Sequence, residues 1–498
     1  MAQTILSSPN DRVPSLFSRA AWTLLILATL YFCYFHNLGL VGFVGPDEPR
    51  YAWIARGMAE TGDWITPRLY GQPWFEKPVL YYWGAALSFR LFGISEAAAR
   101  LPSAISALLA TLAMGWLAWS VYGAETARWL LLFLPTTVGM IGFSHAAATD
   151  MPFAGALTVA MVCAAAILGL ARHEDTTADT KMVPQTPWRA LCLFGFSLGL
   201  AVLAKGPAAI ILAGGAVLLW AVLTRRWRDA LRCLHPMAIA SFCLTALPWY
   251  ILCARRNPDF FRIFIIEHNF KRYLTPEFQH IQPFWFYIPV VLVAFFPWTL
   301  LLLWSAVRGA LLLWQERHAS ARTVFWLAWP GFCLLFFSAS RSKLPGYILP
   351  AVPAISLLLA RVFVTLSARK QKTFRWQLLG SGVFTLLVSL AQLWMGRLFS
   401  ASRTNAQAMI AVGLSLLLVA LAYLLLAARG SAAKMALDPA ALCVAPVLVL
   451  LLMSPSLSRP WLRHDPSGKT LAAEILATRI PPDRLYAVRM KRGQQYSL

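Results

Sequence analysis

The polar residues between positions 42 and 78 are the part of this sequence best suited to binding an anion. An acid, a proline and a base occur together twice there, as DEPR at 47–50 and as EKP at 76–78. Because proline suits the first turn of a helix, two helix N-termini are predicted in or beside this segment. Each N-terminus carries partial positive charge and free N–H groups. Since Arg50 and Lys77 add further positive charge, an anion bound between them would stabilise both helix starts.

Further candidate residues occur in three later segments of the chain, each beside an apolar run. Two bases and a tyrosine in SASRSKLPGYILP suit a lipid phosphate. Helix capping is the alternative interpretation for Asp47, Glu76 and Asp150, because carboxylates commonly cap helix N-termini. The later candidates are Asp150, Glu267, His268, Arg272, Arg341, Lys343 and Tyr347.

The composition excludes an ordinary soluble enzyme and a disordered chain. Of the 498 residues, 59% are hydrophobic and only 13% are charged, whereas soluble domains have about a quarter charged residues. The aromatic share of 13% also excludes disorder. The eight cysteines form no C-x-x-C pair, so neither a zinc knuckle nor a disulfide framework is indicated. The chain is therefore predicted to be an all-α polytopic membrane protein.

Apolar runs long enough to cross a bilayer predict about thirteen transmembrane helices. They cover 21–41, 97–121, 128–144, 152–171, 190–204, 207–223, 235–253, 284–306, 323–338, 345–364, 376–395, 407–428 and 437–455. The run from residue 21 is too long for a signal-peptide core and is interpreted as an uncleaved span. The helix beginning near Asp47 and another at 78–92 are predicted to lie in the membrane interface, within a first outside loop at 42–96.

The distribution of charge predicts the orientation of these spans. With residues 1–20 in the cytoplasm, basic residues concentrate in the inside loops. The positive-inside rule therefore accounts for most of the net charge of +23. The inside bases are Arg172, Lys181, Arg189, Arg225, Arg226, Arg228, Arg232, Arg308, Arg317, Arg322, Arg361, Arg369, Lys370, Lys372, Arg375, Arg429 and Lys434. The candidate acids and bases then collect on the opposite, extracytoplasmic side, as expected for an active site at the membrane surface.

Several of these segments together resemble one family. The first loop has the motifs G-P-D-E-P-R-Y, G-x-W-x-x-P and F-E-K-P-x-L-Y-Y-W. T-D-M-P, E-H-N-F-x-R and S-x-S-K-L-P-x-Y-I-L-P follow in the same order. This series resembles the aminoarabinose transferase (ArnT) family of polyprenyl-phosphate-sugar glycosyltransferases, which have the GT-C membrane fold and are related to protein O-mannosyltransferases. The resemblance covers essentially the whole chain.

The resemblance implies a GT-C catalytic domain at 21–458. The expected reaction is transfer, with inversion, of 4-amino-4-deoxy-L-arabinose from undecaprenyl phosphate to a lipid A phosphate. The expected location is the bacterial inner membrane, with the active site facing the periplasm. Such a change to lipopolysaccharide is associated with polymyxin resistance. Residues 459–498 resemble the opening of a soluble extracytoplasmic domain that is cut short, so that domain is expected to be lost or the chain to be incomplete.

The same motifs imply roles for individual residues. Asp47 and Asp150 correspond to the essential acids, and Glu48 completes the D-E pair. The lipid phosphate is expected to contact Arg50, Lys77, Arg272, Arg341, Lys343 and Tyr347. Glu76 and His268 fall where some relatives hold a divalent metal, here zinc or magnesium. A lipid-phosphate donor needs no nucleotide, and the sequence has no Gly-rich nucleotide loop.

Two alternatives remain open at this point. One is a transferase of the same fold that uses another sugar and a glycan or protein acceptor. The other is a secondary transporter or lipid flippase, which should show ionisable residues near the bilayer midplane and a repeated half. The sequence shows neither feature, and Lys205, in K-G-P, is assigned to a short outside turn.

Overall fold

A computed structural model describes residues 16–172, 187–271, 281–316 and 320–367, together with short helical pieces between 379 and 477. In chain order its helices are α1 (Leu16–Tyr34), α2 (Asp47–Thr61), α3 (Leu80–Phe92), α4 (Glu96–Tyr122), α5 (Ala124–Phe133), α6 (Val138–Ser144), α7 (Asp150–Ile167), α8 (Trp188–Lys205), α9 (Ala208–Thr224), α10 (Trp227–Ala230), α11 (Pro236–Arg256), the π-helical α12 (Arg262–Lys271), α13 (Tyr287–Ala294), α14 (Thr299–Glu316), α15 (Ala321–Ala339), α16 (Val352–Ser367) and α17 (Ala445–Leu452). A hairpin of β1 (Arg68–Leu69) and β2 (Gln72–Pro73) and a 3₁₀ turn at Pro345–Ala351 complete the elements used below.

The helices agree with most of the predicted spans. Six are long and apolar enough to cross a membrane, namely α4, α7, α8, α11, α15 and the continuous stretch Pro345–Thr365. The helices α1 and α9 are apolar but shorter. Predicted spans 376–395 and 407–428 fall mostly outside the described residues, and 437–455 is described only around α17. The chain is thus a multi-span membrane protein, and the predicted total of thirteen stays a prediction.

Two predicted spans are not single straight helices. The span expected at 128–144 consists of α5 and α6, which are bent by 62°, and the span expected at 284–306 is bent by 116° between α13 and α14. Pro135 and Pro297 lie at these two breaks. Proline removes a backbone donor and disfavours helical geometry in the residue before it, so each apolar run is interrupted there.

The two helices of the first outside loop have the predicted amphipathic form. In α2 the residues Tyr51, Ile54, Ala55 and Met58 are all buried, as their helical spacing predicts. The helix ends at Gly62, which has a φ of +74° and donates its N–H to the carbonyl of Met58. Tyr51 packs against Tyr81 and Tyr82 of α3, with ring centroids 6.1 and 5.9 Å apart. This pairing fixes the two charged motifs beside each other.

The three acids that could cap helices do not occupy the N-cap positions themselves. The N-cap of α2 is Pro46, which has no capping side chain, and α3 begins at Leu80 after an N-cap at Val79. Thr149 occupies the N-cap of α7. The side chains of Asp47, Glu76 and Asp150 form ion pairs, so each of the three acids has a basic partner.

Candidate active site

A buried ion pair between Glu48 and Arg100 fixes the start of the first loop. Arg100, in the first turns of α4, donates from Nε to Glu48 Oε1 at 3.0 Å and from Nη2 to Oε2 at 2.9 Å. The backbone N–H of Ala147 donates to the same Oε1 at 2.6 Å. One carboxylate therefore joins α2, α4 and the 145–149 connection. Because Asp150 follows Ala147 by three residues, the Cα atoms of these two residues lie within about 11 Å of each other.

Four charged side chains form what we call the first-loop cluster: Asp47, Arg50, Glu76 and Lys77. Arg50 Nη2 lies 2.5 Å from Asp47 Oδ1 and 3.0 Å from Glu76 Oε2. Lys77 Nζ lies 3.8 Å from Glu76 Oε1. The Glu76 carboxylate thus occupies the place between the two bases where the sequence predicts an anion. Two acids and two bases make the cluster neutral overall.

Exposure separates the members of the first-loop cluster. The side chain of Arg50 is only 5% exposed, whereas that of Asp47 is 55% exposed. Burial lowers the pKa of Arg50, but Glu76 and Asp47 raise it, and the pKa ends above its ordinary value. The guanidinium therefore stays charged, and Asp47 is the acid of the cluster that faces open space.

Three buried polar atoms beside this cluster lack a hydrogen-bond partner within the described part of the chain. They are Arg50 Nε, Trp74 Nε1 and Tyr82 OH. The Trp74 ring lies under the Arg50 guanidinium, with Cζ 5.6 Å from the ring centroid. Burial raises the pKa of Tyr82 well above its ordinary value, so its hydroxyl remains a donor. Unpaired buried donors cost about 1–3 kcal/mol each, so this environment favours a ligand rich in acceptor oxygens.

A second ion pair lies at the facing ends of α7 and α8. Asp150 is the first residue of α7, Lys205 is the last residue of α8, and Lys205 Nζ lies 2.5 Å from Asp150 Oδ1. Each charge complements the dipole of its own helix, since acids are stabilised at N-termini and bases at C-termini. Lys205 Nζ also lies 4.7 Å from the ring centroid of Tyr347. The predicted residues Asp150 and Tyr347 are therefore brought together by Lys205.

Gly346 permits the close packing of the 3₁₀ turn at Pro345–Ala351 on this ion pair. A Cβ added at Gly346 would lie 2.7 Å from Phe143 Cε1 and 2.9 Å from Asp150 Oδ1. Both distances are shorter than real Cβ contacts allow. The SKLPGY motif thus needs glycine at this position because the backbone passes directly against the acid.

The two bases of that motif have different environments. Lys343 is buried and donates to the backbone carbonyls of Ser340, at 2.5 Å, and Gln282, at 3.0 Å. Its burial lowers the pKa of the Lys343 amine. Arg341 is exposed. Lys343 therefore fixes the local backbone, and phosphate binding by this amine would require it to leave two carbonyls.

The remaining predicted residues are only partly described. His268 lies in α12, but its side chain is outside the described set, and Arg272 lies outside the described residues. Glu76, the predicted partner of His268, is bonded to Arg50 and close to Lys77. Among the described residues, no three His, Cys, Asp or Glu side chains gather as a metal-binding group. Bound metal therefore stays a prediction.

An apolar groove of about 670 Å³ lies between α3, α4, α7 and α8. Its lining includes Leu80, which follows Lys77 by three residues, and Pro152, which follows Asp150 by two. Leu87, Leu109 and Phe196 line it further along these helices. Two of its lining residues are therefore within three positions of a charged candidate in the sequence.

Arg100 and Lys205 are the functional candidates that sequence reasoning missed. Their partners are 52 and 55 residues away in the chain, so no local spacing relates them. The signal that could have found them is electrostatic. Each is an isolated base at the end of an apolar helix, on the side where acids collect, and a buried base requires a partner.

Comparison with known proteins relates this chain to one group. A family model described as dolichyl-phosphate-mannose-protein mannosyltransferase matches residues 20–264. An undecaprenyl phosphate-alpha-4-amino-4-deoxy-L-arabinose arabinosyl transferase of Enterobacter sp. (strain 638) is 33% identical over 344 residues, covering 69% of this chain and 59% of that protein. A protein of the same name from Serratia proteamaculans (strain 568) is 32% identical, covering 76% of this chain and 66% of that protein. The chain thus spans less than two thirds of the length of these relatives.

The fold has a solved counterpart. The crystal structure of ArnT from Cupriavidus metallidurans bound to undecaprenyl phosphate superposes with a TM-score of 0.78. The match covers 96% of this chain and 84% of that one, at 26% identity. The chain is therefore a GT-C membrane protein. Within that class its sequence and fold are similar to those of the ArnT-like family.

Proposed function

We propose that this protein is a membrane glycosyltransferase that transfers 4-amino-4-deoxy-L-arabinose from undecaprenyl phosphate to a lipid A phosphate, with inversion, on the periplasmic side of the inner membrane. The observation that carries the proposal is the first-loop cluster, in which an exposed acid, Asp47, lies against a buried base, Arg50, beside unpaired donors. Relatives at 32–33% identity carry the name of this activity.

The donor phosphate is assigned to Arg50 and Lys77. When the sugar C1–O bond breaks, the phosphate diester becomes a monoester and gains negative charge. Bases that contact this phosphate therefore stabilise the transition state more than the ground state. The phosphate would share Arg50 and Lys77 with Glu76, whose carboxylate now lies between them. The polyprenyl chain would lie in the apolar groove that Leu80 helps to line.

Asp47 is assigned to the reacting sugar carbon. As the leaving group departs, C1 develops oxocarbenium character, which a nearby carboxylate stabilises. The exposure of Asp47 leaves room for a sugar beside it. An acceptor phosphate oxygen then forms the new bond to C1 from the opposite face, which gives inversion. A phosphate monoester with a second pKa near 6 is already largely ionised at neutral pH, so this acceptor needs no general base.

Asp150 is assigned to the acceptor side of the site. It pairs with Lys205, whose Nζ also lies over the Tyr347 ring, and it follows Ala147, a partner of Glu48, by three residues. A base at that position would attract an acceptor phosphate, and Asp150 would hold the base in place. Arg341 is exposed near the same turn and adds positive charge for an anionic acceptor.

A divalent metal at Glu76 and His268 remains part of the proposal without a role in these steps. A metal there would add positive charge beside the donor phosphate. Elemental analysis of the purified protein tests it: one zinc or magnesium ion per chain that is lost in Glu76→Gln supports the site, and no bound metal removes it.

One further candidate function has support from a specific comparison. The matching family model is named for transfer of mannose from a dolichyl-phosphate carrier to protein. A transferase of the same fold with another sugar and a protein or glycan acceptor would use the same donor-side residues. A hydroxyl acceptor would need a general base, so Asp47 or Asp150 would also have to remove a proton.

Mass spectrometry of lipid A tests the proposed function. A host that makes the lipid-linked aminoarabinose but lacks its own transferase should gain aminoarabinose-modified lipid A when it expresses this chain. The Asp47→Asn variant, expressed at the same level, should leave lipid A unmodified. Unmodified lipid A with the wild-type chain would contradict the acceptor, and a glycosylated protein in the same cells would favour the second candidate.

A further inference from the structure

We propose that Arg100 is a positioning residue, which acts through Glu48 to hold together the ends of two loops and so fixes Asp47, at the start of α2, relative to Asp150, at the start of α7. The inference deepens the proposed function, on which its kinetic test rests. Glu48, the second acid of the D-E pair, then positions the other acids of the site and does not contact the substrate.

The hydrogen bonds of Arg100 use every donor of its guanidinium. Nε and one Nη2 donor bind Glu48, the other Nη2 donor binds the carbonyl of Gly42 at 2.9 Å, and Nη1 binds the carbonyls of Leu38 and Val41 at 2.8 and 2.6 Å. Guanidinium has five N–H donors, so none is left for a substrate. Arg100 therefore arranges the 38–42 backbone that leads into the first loop.

Glu48 is saturated in the same way. Oε1 accepts from Arg100 and from the Ala147 backbone, and Oε2 accepts from Arg100 and from the Val44 backbone at 2.7 Å. The side chains of Arg100 and Glu48 are 5% and 10% exposed. With four donors on its two oxygens, this carboxylate has no free position for a proton or a sugar hydroxyl. It cannot act as a general base without losing one of these four hydrogen bonds.

The position of this pair explains why it matters for the reaction. Asp47 immediately precedes Glu48 in the sequence, and Asp150 follows Ala147 by three residues. Ser103, one turn along α4 from Arg100, adds a second link by donating to the carbonyl of Ala146 at 2.7 Å. Transfer requires the donor side and the acceptor side to meet within bonding distance, and an error of about 1 Å can cost a hundredfold in rate.

The chain offers a matched control in Arg90. It lies on α3 and donates from Nε and Nη2 to the carbonyl of Ala59 at 3.1 and 3.0 Å, near the C-terminal end of α2. Arg90 therefore anchors the same helix as Arg100 does, but at its other end and without a bond to the 145–149 connection. If loosening of α2 in general lowers the activity, substitution of either arginine should lower it. If the activity depends on the separation of Asp47 and Asp150, only substitution of Arg100 should lower it.

The test combines kinetics with a distance measurement on purified protein. In a background without the native cysteines, spin labels at Val44→Cys, before α2, and Gly142→Cys, in α6 just before the 145–149 connection, report the separation of the two loops. Arg100→Gln should broaden this distance distribution and lower kcat about tenfold to hundredfold, with KM for the lipid-linked donor within about threefold. Arg100→Lys should recover part of kcat, because an ammonium replaces only three of the five donors. Arg90→Gln should leave the distribution narrow and kcat within about twofold.

Several outcomes would overturn the proposal. These are unchanged kcat in Arg100→Gln, a fall in kcat without broadening, or equal effects in Arg90→Gln. If Arg100→Gln does not fold, Glu48→Gln and Arg100→Lys provide the same comparison. If the wild-type chain transfers no sugar, the proposed function fails. The spin-label distances, which need no substrate, still show whether Arg100 holds the two loops together.

Discussion

Asp47 and Glu48 are neighbouring acids with opposite environments. Asp47 is half exposed and contacts Arg50, whereas Glu48 is buried and fully hydrogen-bonded. Sequence alone could not separate them, because their difference comes from Arg100, 52 residues further along the chain. A carboxylate must be accessible to stabilise a substrate, so the structure favours Asp47 as the reactive acid of the pair.

At the residue scale, we predict that Asp47→Asn lowers turnover by about a hundredfold or more while donor affinity changes by less than about threefold. The substitution keeps the shape of the side chain and removes the charge that would face the sugar carbon. Turnover and undecaprenyl phosphate binding on the same purified variant provide the measurement. Glu60→Gln is the control, because Glu60 is an exposed acid of the same helix that pairs with Arg56. Wild-type turnover in Asp47→Asn would remove Asp47 from the reaction.

The Asp150–Lys205 pair gives a second prediction. Lys205→Met should lower turnover to the level of Asp150→Asn, and the double variant should be no worse than either single one, because the two residues act as a unit. Each single variant should also destabilise the protein by about 1–3 kcal/mol, since it removes the charged partner of a partly buried group. Thermal unfolding in detergent and turnover measure these effects. Additive losses in the double variant would show that the two residues act independently.

At the scale of elements, the Pro345–Ala351 turn must pass close to the start of α7. Gly346→Ala should reduce turnover about tenfold and destabilise the protein by about 1–3 kcal/mol, because the new methyl group would press on Phe143 and Asp150. Gly142→Ala, a helical glycine of α6 with open space around it, is the control and should behave as wild type. Equal activity in both variants would show that this turn does not set the position of Asp150.

At this scale, the features that depend on local sequence could be predicted, and those that depend on contacts between distant residues could not. Hydropathy and helical spacing are local, so α2, α3 and most spans could be predicted from the local order of residues. The bends near Pro135 and Pro297 were missed because a continuous apolar run hides a break. The roles of Lys205 and Lys343 could not be predicted, since each depends on backbone and side chains brought together only by folding.

At the scale of the whole molecule, the concentration of bases in predicted inside loops and of acids in the opposite loops predicts a single orientation. Single cysteines at Gln72 and Gly142, in a background without native cysteines, should react with an impermeant maleimide added to cells with a permeabilised outer membrane. A cysteine at Arg226 should be protected until the inner membrane is opened. The reverse pattern would place Asp47, Glu76, Asp150 and Arg341 in the cytoplasm and contradict a periplasmic site.

The bases of the first-loop cluster have two possible roles, which are to bind the lipid phosphate or only to neutralise the Glu76 carboxylate. Arg50 and Lys77 already have a carboxylate between them, so their charges alone do not require a ligand. Contacts from charged donors to a phosphate are worth about 1.5–3 kcal/mol each, or about ten- to a hundredfold in affinity. Bases that only neutralise Glu76 would contribute nothing to lipid affinity.

Binding of undecaprenyl phosphate to the purified protein is therefore the most direct measurement. We predict that Arg50→Gln and Lys77→Gln each weaken binding about tenfold to a hundredfold, with Lys77→Arg restoring only part of the affinity, because a planar guanidinium does not reproduce a compact ammonium. Arg56→Gln, on the exposed side of α2, should bind as wild type does. Unchanged affinity in both Arg50→Gln and Lys77→Gln would contradict the assignment of the first-loop cluster as the lipid-phosphate site.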